Sequence, residues 1–409
     1  MRGTSGDDVL RGTAGQDVFW AGAGDDRIVG YAGHDSICGG PGDDVMRGGL
    51  GMDWFYPAGG RDRVVGGGDR INVVDYLRSP RGVVVDLAAG RARGWGRDAI
   101  RGVHQVEGSL FADAITGNSR GNVLIGHGGD DVLDGGGGGD SLLGYSGDDI
   151  LRGSRGRDYA AFIDSPAPVH VDLRSRTATG EGNDVLLSAE NIFGSSYDDV
   201  LAGGSGDNEL IGGVGGNDRI VGRGGDDVAY RHYGQGTVRG GRGNDTVYYE
   251  FQGTIDLSTG TAVGTEFSDT IAGFENVAGG SESQVIIGDG GRNVLLGGGA
   301  VDVVKAGGAD DLVAGGGGGD KLAGGDGRDR IKGGRGDDQC VEGETVTGCE
   351  TSTTNGAGVA SSRSRQAFAP LPSLPLPLVG DGSREVLAQL LRMLRVLTSG
   401  DVPGSAPSQ

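Results

Sequence analysis

Aspartate recurs in this chain at a step of nine. Asp8, Asp17, Asp26, Asp35, Asp44, Asp53 and Asp62 follow one another at that interval. The phase returns in Asp131, Asp140, Asp149 and Asp158, in Asp227 and Asp245, and in Asp302, Asp311, Asp320, Asp329 and Asp338. Glycines keep the same step ahead of them, as Gly6, Gly15, Gly24, Gly33, Gly42 and Gly51 do. Carboxylates beside glycines, whose turns admit positive φ and leave carbonyls bare, are a donor set for a hard divalent cation: Ca2+ takes about six to eight oxygens of these two kinds. Without a counter-cation such a ladder would repel itself.

Two residues after each Asp stands an apolar one: Leu10, Phe19, Ile28, Ile37, Met46, Phe55 and Val64. The unit therefore reads G-G-x-G-x-D-x-U-x, with U apolar. Runs such as Gly39-Gly40-Pro41-Gly42-Asp43-Asp44 and Gly315-Gly316-Gly317-Gly318-Gly319-Asp320 fill its fixed positions. A disordered chain does not keep register like this, so the chain is built from small repeated units.

Over roughly residues 6 to 340 these repeats resemble those of the RTX, or haemolysin-type, calcium-binding repeat proteins. The resemblance implies a parallel β-roll or β-helix in which two nonapeptides make one coil and Ca2+ lies between the turns of successive coils. On that fold Asp8, Asp26, Asp44 and Asp62 stack on one edge, and Asp17, Asp35 and Asp53 on the other. Two buried U residues per coil cannot by themselves offset the entropy of ordering a glycine-rich coil, so metal binding is expected to be part of folding. The fold class expected is all-β, a solenoid with irregular β segments between arrays.

A longer repeat overlies the short one. Val83-Val84-Val85-Asp86-Leu87, Val169-His170-Val171-Asp172-Leu173 and Thr254-Ile255-Asp256-Leu257 lead in turn to Asp98, Asp184 and Asp269, and then to Asp113, Asp199 and Gln284. This divides the chain into a first array (1–66), a module with the second array (67–160), a module with a degenerate third array (161–248), and a module with the final array and a Cys-containing cap (249–350). Alternation along Val83 to Leu87 places Asp86 on the solvent side of a half-buried strand. Asn122, Asn208 and Asn293 stand where the repeat wants Asp, either as turn or stacking residues or as weaker metal sites. Glu190 and Glu275 are read as turn or surface residues. An extra residue near Val214 to Asp218 and Gly236 in an Asp position make the third array the poorest metal binder.

Composition narrows the function. Of 409 residues 90 are Gly but only 11 are Pro, which excludes collagen. Acids outnumber bases 57 to 36 for a net charge of −21, the wrong sign for nucleic acid. No apolar run is long enough to span a membrane, and Met1 to Asp7 hold no signal-like stretch, so export uses another route or begins upstream. The histidines lack the H-E-x-x-H zinc helix of RTX proteases, and residues 1 to 5 leave no room for the apolar domain of a pore-forming toxin. Gly117-Asn118-Ser119-Arg120-Gly121 matches G-x-S-x-G but falls in a nonapeptide turn. The expectation is a secreted, extracellular calcium-binding protein of structural or adhesive role and not an enzyme. Calcium ions are its ligand, and a cell surface or polysaccharide is the contact an adhesive solenoid would make. The alternatives are the repeat region of a larger exported enzyme or adhesin, and a β-helical carbohydrate-active enzyme.

Three features remain. Cys340 and Cys349 can close a small loop over the open end of the roll in an oxidising compartment, while Cys38 reads as an outward thiol. Residues 351–382 form a Pro- and Ser-rich linker. Residues 383–399 have the spacing of an amphipathic helix, which would dock on the roll or a second chain, touch a membrane surface, or serve as an export signal.

Overall fold

The computed structural model describes residues 1–68, 71–231, 234–265 and 267–353. All regular structure among them is β, with no helix. The linker beyond residue 353 and the expected helix at 383–399 lie outside the described residues. Two compact units are formed, one from Met1–Ala161 with Gly182–Ala189, the other from Phe162–Glu181 with the described residues from Glu190 onward.

In the first unit, short parallel strands stack at the 18-residue interval that the repeat requires. Val9–Arg11, Arg27–Ala32, Val45–Leu50 and Arg63–Val65 form one sheet, with Ile28 opposite Met46 and Met46 opposite Val64. Val18–Trp20, Ser36–Gly40 and Trp54–Pro57 form a second, with Phe19 opposite Ile37 and Ile37 opposite Phe55. Strand residues alternate, so every U side chain points inward. Ile28, Ile37, Met46, Phe55 and Val64 are each fully buried at 0% exposure. Each contributes about 1.5–3 kcal/mol of burial, and no single large core is needed.

The irregular segments are hairpins inserted into the stack. Val84–Asp86, Arg91–Arg93 and Arg97–Arg101 run as an antiparallel meander whose last strand pairs parallel with Arg63–Val65 and whose first pairs parallel with Ala114–Asn118. The sheet thus passes through the insertion without losing its direction. Beyond it Val132–Gly137 and Ile150–Arg155 resume the 18-residue step, with Leu133 opposite Leu151.

The second unit repeats the plan. Gly253–Asp256, Thr261–Gly264 and Ser268–Ala272 make its antiparallel meander, between the parallel strands Gln235–Arg242 and Gln284–Ile287. The final array then stacks Val304 on Leu322 and Val313 on Ile331. Cys340, which takes the U position after Asp338, is fully buried and is bonded to Cys349 with 6.0 Å between their Cα atoms.

Candidate metal-binding ladders

The nonapeptide aspartates face inward at the turns, and all but the first two are buried. From Asp26 onward one oxygen is used the same way. Oδ1 accepts the backbone N–H of the residue one coil earlier: Asp26 from Asp8 at 2.7 Å, Asp44 from Asp26 at 2.9 Å, Asp149 from Asp131 at 2.8 Å, Asp158 from Asp140 at 2.8 Å and Asp320 from Asp302 at 2.9 Å. The ladder is therefore a backbone-to-carboxylate stitch that ties coil to coil.

The second oxygen is another matter. In Asp26, Asp35, Asp44, Asp53, Asp62, Asp131, Asp140, Asp149, Asp227, Asp245, Asp302, Asp311, Asp320, Asp329 and Asp338, Oδ2 is buried without a hydrogen-bond partner. In most of these turns it lies over a glycine five residues earlier, and in several a backbone carbonyl of the next coil stands beside it; Ala21, Pro57 and Ala306 take the glycine's place before Asp26, Asp62 and Asp311. A Cβ placed on Gly297 would sit 2.6 Å from Asp302 Oδ2 and 2.7 Å from Gly315 O. The same pair of acceptors surrounds Gly30 (Asp35 Oδ2, Gly48 O), Gly126 (Asp131 Oδ2, Gly144 O) and Gly315 (Asp320 Oδ2, Gly333 O). The carbonyl also takes part in the strand ladder, as Gly66 O does from the Gly49 N–H at 2.8 Å, so it is the carboxylate oxygen that calls for a donor, a proton or a cation.

Asn72 makes the point by contrast. Its Oδ1 accepts the Asp53 N–H at 2.9 Å as an aspartate would, but the group over Gly66 is Nδ2, which donates to Gly102 O at 2.9 Å. Where the side chain ends in a donor, the cradle closes on itself.

Backbone conformation follows the difference in most turns. Four residues before most of these aspartates the chain takes positive φ, at Gly40 (99°), Gly136 (92°) and Gly316 (107°), and at Tyr31 (79°), His127 (77°) and Arg223 (83°), where a side chain makes it costly; Ala58, before Asp62, is an exception. In other turns the residue at that place keeps negative φ and its N–H falls on the side chain. Thr4 and Thr13 give both N–H and hydroxyl to Asp8 (2.6 and 2.9 Å) and Asp17 (2.7 and 3.0 Å). Ser195 serves Asp199 in the same manner, and Asn122, Asn208 and Asn293 accept from Asn118, Gly204 and Asp289 at 2.8, 2.6 and 2.9 Å. Each array opens with such closed turns and continues with open ones. Asp8 and Asp17 are thus already satisfied by protein donors. The three asparagines are turn residues, their Nδ2 groups bonded to His104, Glu190 and Glu275 carbonyls.

Burial dominates the electrostatics. Desolvation raises the carboxyls, the stitching N–H opposes it, and neighbouring carboxylates add to it: Asp44, Asp53, Asp149, Asp245, Asp302 and Asp311 are pushed up to about 6, Asp227 to about 7, and Asp62, Asp131 and Asp140 to about 8. Asp26, Asp35, Asp320 and Asp329 are raised by the same cause. Among the described residues no three His, Cys, Asp or Glu side chains converge on one position.

Several ladder members escape the repeat pattern. Asp98 and Asp184 accept from Asp62 and Asp149 at 3.1 Å, although the hairpins displace them in sequence. Glu275, which lies in a bend as a turn residue would, also accepts from Asp245 at 2.8 Å, and Glu350 accepts from Asp338 at 2.6 Å. Tyr76 donates its hydroxyl to Asp98 Oδ2 at 2.8 Å, doing there what an amide does at Asn72. A second, exposed ladder uses the preceding acid: Asp7, Asp25 and Asp43 accept from Asp25, Asp43 and Arg61 at 2.8 Å each. The doubled Asp in the repeat was its signal. Asp86 bonds the Ala89 N–H at 2.7 Å in a hairpin turn, away from both ladders.

The model of the RTX calcium-binding nonapeptide repeat matches residues 2–37, 39–70, 107–142, 125–160, 188–215, 213–230, 233–250, 278–313 and 314–341, more than half of the chain. The chain belongs to that family. Its repeats are calcium-binding nonapeptides, and the open turns above fall within the matched segments. No curated protein matches the chain.

Proposed function

We propose that this RTX repeat protein is secreted, binds several calcium ions along its inner ladders, and uses them to complete folding into a structural or adhesive solenoid. The observation that carries the reading is the cradle of Asp302 Oδ2 and Gly315 O, repeated through the open turns, in which two buried acceptors face each other. The residues assigned to the metal are the open-turn aspartates together with carbonyls of the flanking glycines. Calcium supplies positive charge where burial has made the carboxylates poor anions.

Secretion is supported by the Cys340–Cys349 bond, which persists in oxidising compartments. Among the described residues no helix is long and apolar enough to cross a membrane. A role without catalysis is supported at Ser119, which sits in a turn between the strands Ala114–Asn118 and Val123–Gly128 rather than between a strand and a helix. Equilibrium dialysis of the full chain against labelled Ca2+ tests the proposal. Several ions bound per chain support it, and no binding at millimolar calcium contradicts it.

A further inference from the structure

Gly236 stands where the nonapeptide puts Asp, and Arg231 stands where it puts the glycine of the cradle. The two departures are one exchange. Arg231 is 1% exposed at the end of the strand Val228–Arg231, and its guanidinium enters the space that an aspartate at 236 would occupy. A Cβ on Gly236 would lie 3.0 Å from Arg231 Nη2 and 3.2 Å from Asp269 Oδ1.

The guanidinium lies between the carboxylates on either side of that missing rung. Nη1 donates to Asp218 Oδ2, while Nε and Nη2 donate to Asp269 Oδ2 and Oδ1 at 3.1 and 3.2 Å. Asp269 also accepts the Tyr249 hydroxyl at 2.8 Å, and Asp218 accepts the Asp199 N–H at 3.0 Å. In the open turns Oδ2 has no partner, whereas here a planar fork of fixed charge satisfies both carboxylates. A buried arginine is tolerated only when its charge is paired, and this one bonds two carboxylates.

We propose that Arg231 is a built-in counter-cation that takes the place of calcium on one edge of the third array, so that this segment needs less calcium to fold than the final array. The inference rests on the calcium reading above and deepens it: the array with the most degenerate repeats is the least dependent on metal. The opposite edge, through Asp227 and Asp245, keeps its open turns and its need for calcium.

Hydrogen exchange of the full chain across a calcium titration tests this. In the wild type, peptides covering 235–249 should gain protection at a calcium concentration at least threefold below that needed by peptides covering 303–335. Arg231→Met leaves Asp218 and Asp269 as unpaired buried carboxylates and should raise the 235–249 midpoint threefold or more without moving the 303–335 midpoint. Arg231→Lys, which keeps the charge but loses the fork, should fall between. Equal midpoints in the wild type, or an unmoved midpoint in Arg231→Met, overturn the inference; should the variant fail to fold, the wild-type comparison decides alone. A chain with no calcium response in any peptide instead sinks the calcium reading. Loss of 235–249 protection in Arg231→Met without calcium would then still uphold Arg231 as the internal cation, and its retention would reject it.

Discussion

Asp302 donates its backbone N–H to Asp320 Oδ1 at 2.9 Å, while Asp320 Oδ2 is buried over Gly315 with no hydrogen-bond partner. One oxygen holds the coils together and the other is the one the proposal assigns to calcium. That division of labour within one carboxylate separates the structural role of the ladder from its metal role, and substitutions can address each.

Asp320→Ala removes both oxygens, and should lower calcium affinity of the final array by about tenfold and destabilise it with or without metal. Asp320→Asn keeps the stitch and supplies a donor to the cradle, as Asn72 does toward Gly102 O. It should bind less calcium yet be more stable than wild type in EGTA. Asp86→Ala, in a hairpin turn, should leave binding unchanged. Calorimetric titration and thermal melts of the three variants check this, and equal binding losses at Asp86 and Asp320 would contradict the assignment.

The pH dependence of the metal-free chain follows from the raised carboxyls. Asp62, Asp131 and Asp140 lie at about 8 in the fold, and Asp44, Asp53 and Asp302 at about 6, against roughly 3.9 for an unfolded Asp. The folded state therefore binds these protons more tightly. Their contribution to stability is complete below about pH 4 and is lost as pH rises through about 6 to about 8. In EGTA the chain should keep more of its β signal, and resist heating better, at pH 5 than at pH 8. With saturating Ca2+, which competes with the protons, the order should reverse.

Gly297→Ala should cost about 1–3 kcal/mol, because its Cβ would crowd Asp302 Oδ2 and Gly315 O and fill the cradle. Gly290→Ala has nothing within 4 Å of the new atom and no positive φ, and should be close to neutral. Denaturant unfolding in calcium compares them directly.

Reduction of Cys340–Cys349 should loosen the end of the final array by about 2–4 kcal/mol. Hydrogen exchange should rise first in the strand Arg330–Arg335, which pairs with Thr345–Thr347 inside the loop. Unchanged exchange there after reduction would show that the cap contributes nothing.

The inward row of U residues was legible in the sequence because within each array one strand period and one turn chemistry repeat. The nine-residue spacing, with the two-nonapeptide coil that the family resemblance implied, also assigned the aspartates to two edges. What escaped was contact across insertions. Asp98 rejoins the ladder only because the meander from Val84 to Arg101 folds back into the sheet, and Glu275 reaches Asp245 with a longer side chain from a shifted position. Nor does spacing reveal the φ of Thr4 or Thr13, which turns an N–H onto Asp8 or Asp17 and removes both from the bare-oxygen set. Gly236 read as a blemish because its meaning depends on Arg231, and only the folded chain places them together.

The central claim is that the ladders need calcium to hold their fold at neutral pH. Circular dichroism of the full chain at pH 7.5, begun in EGTA and titrated with Ca2+, tests it most directly. The account predicts that most β signal is absent at the start and appears cooperatively as free calcium passes through about 10⁻⁴ to 10⁻³ M, the range of extracellular modules. A spectrum fully β in EGTA and unchanged by calcium would contradict it.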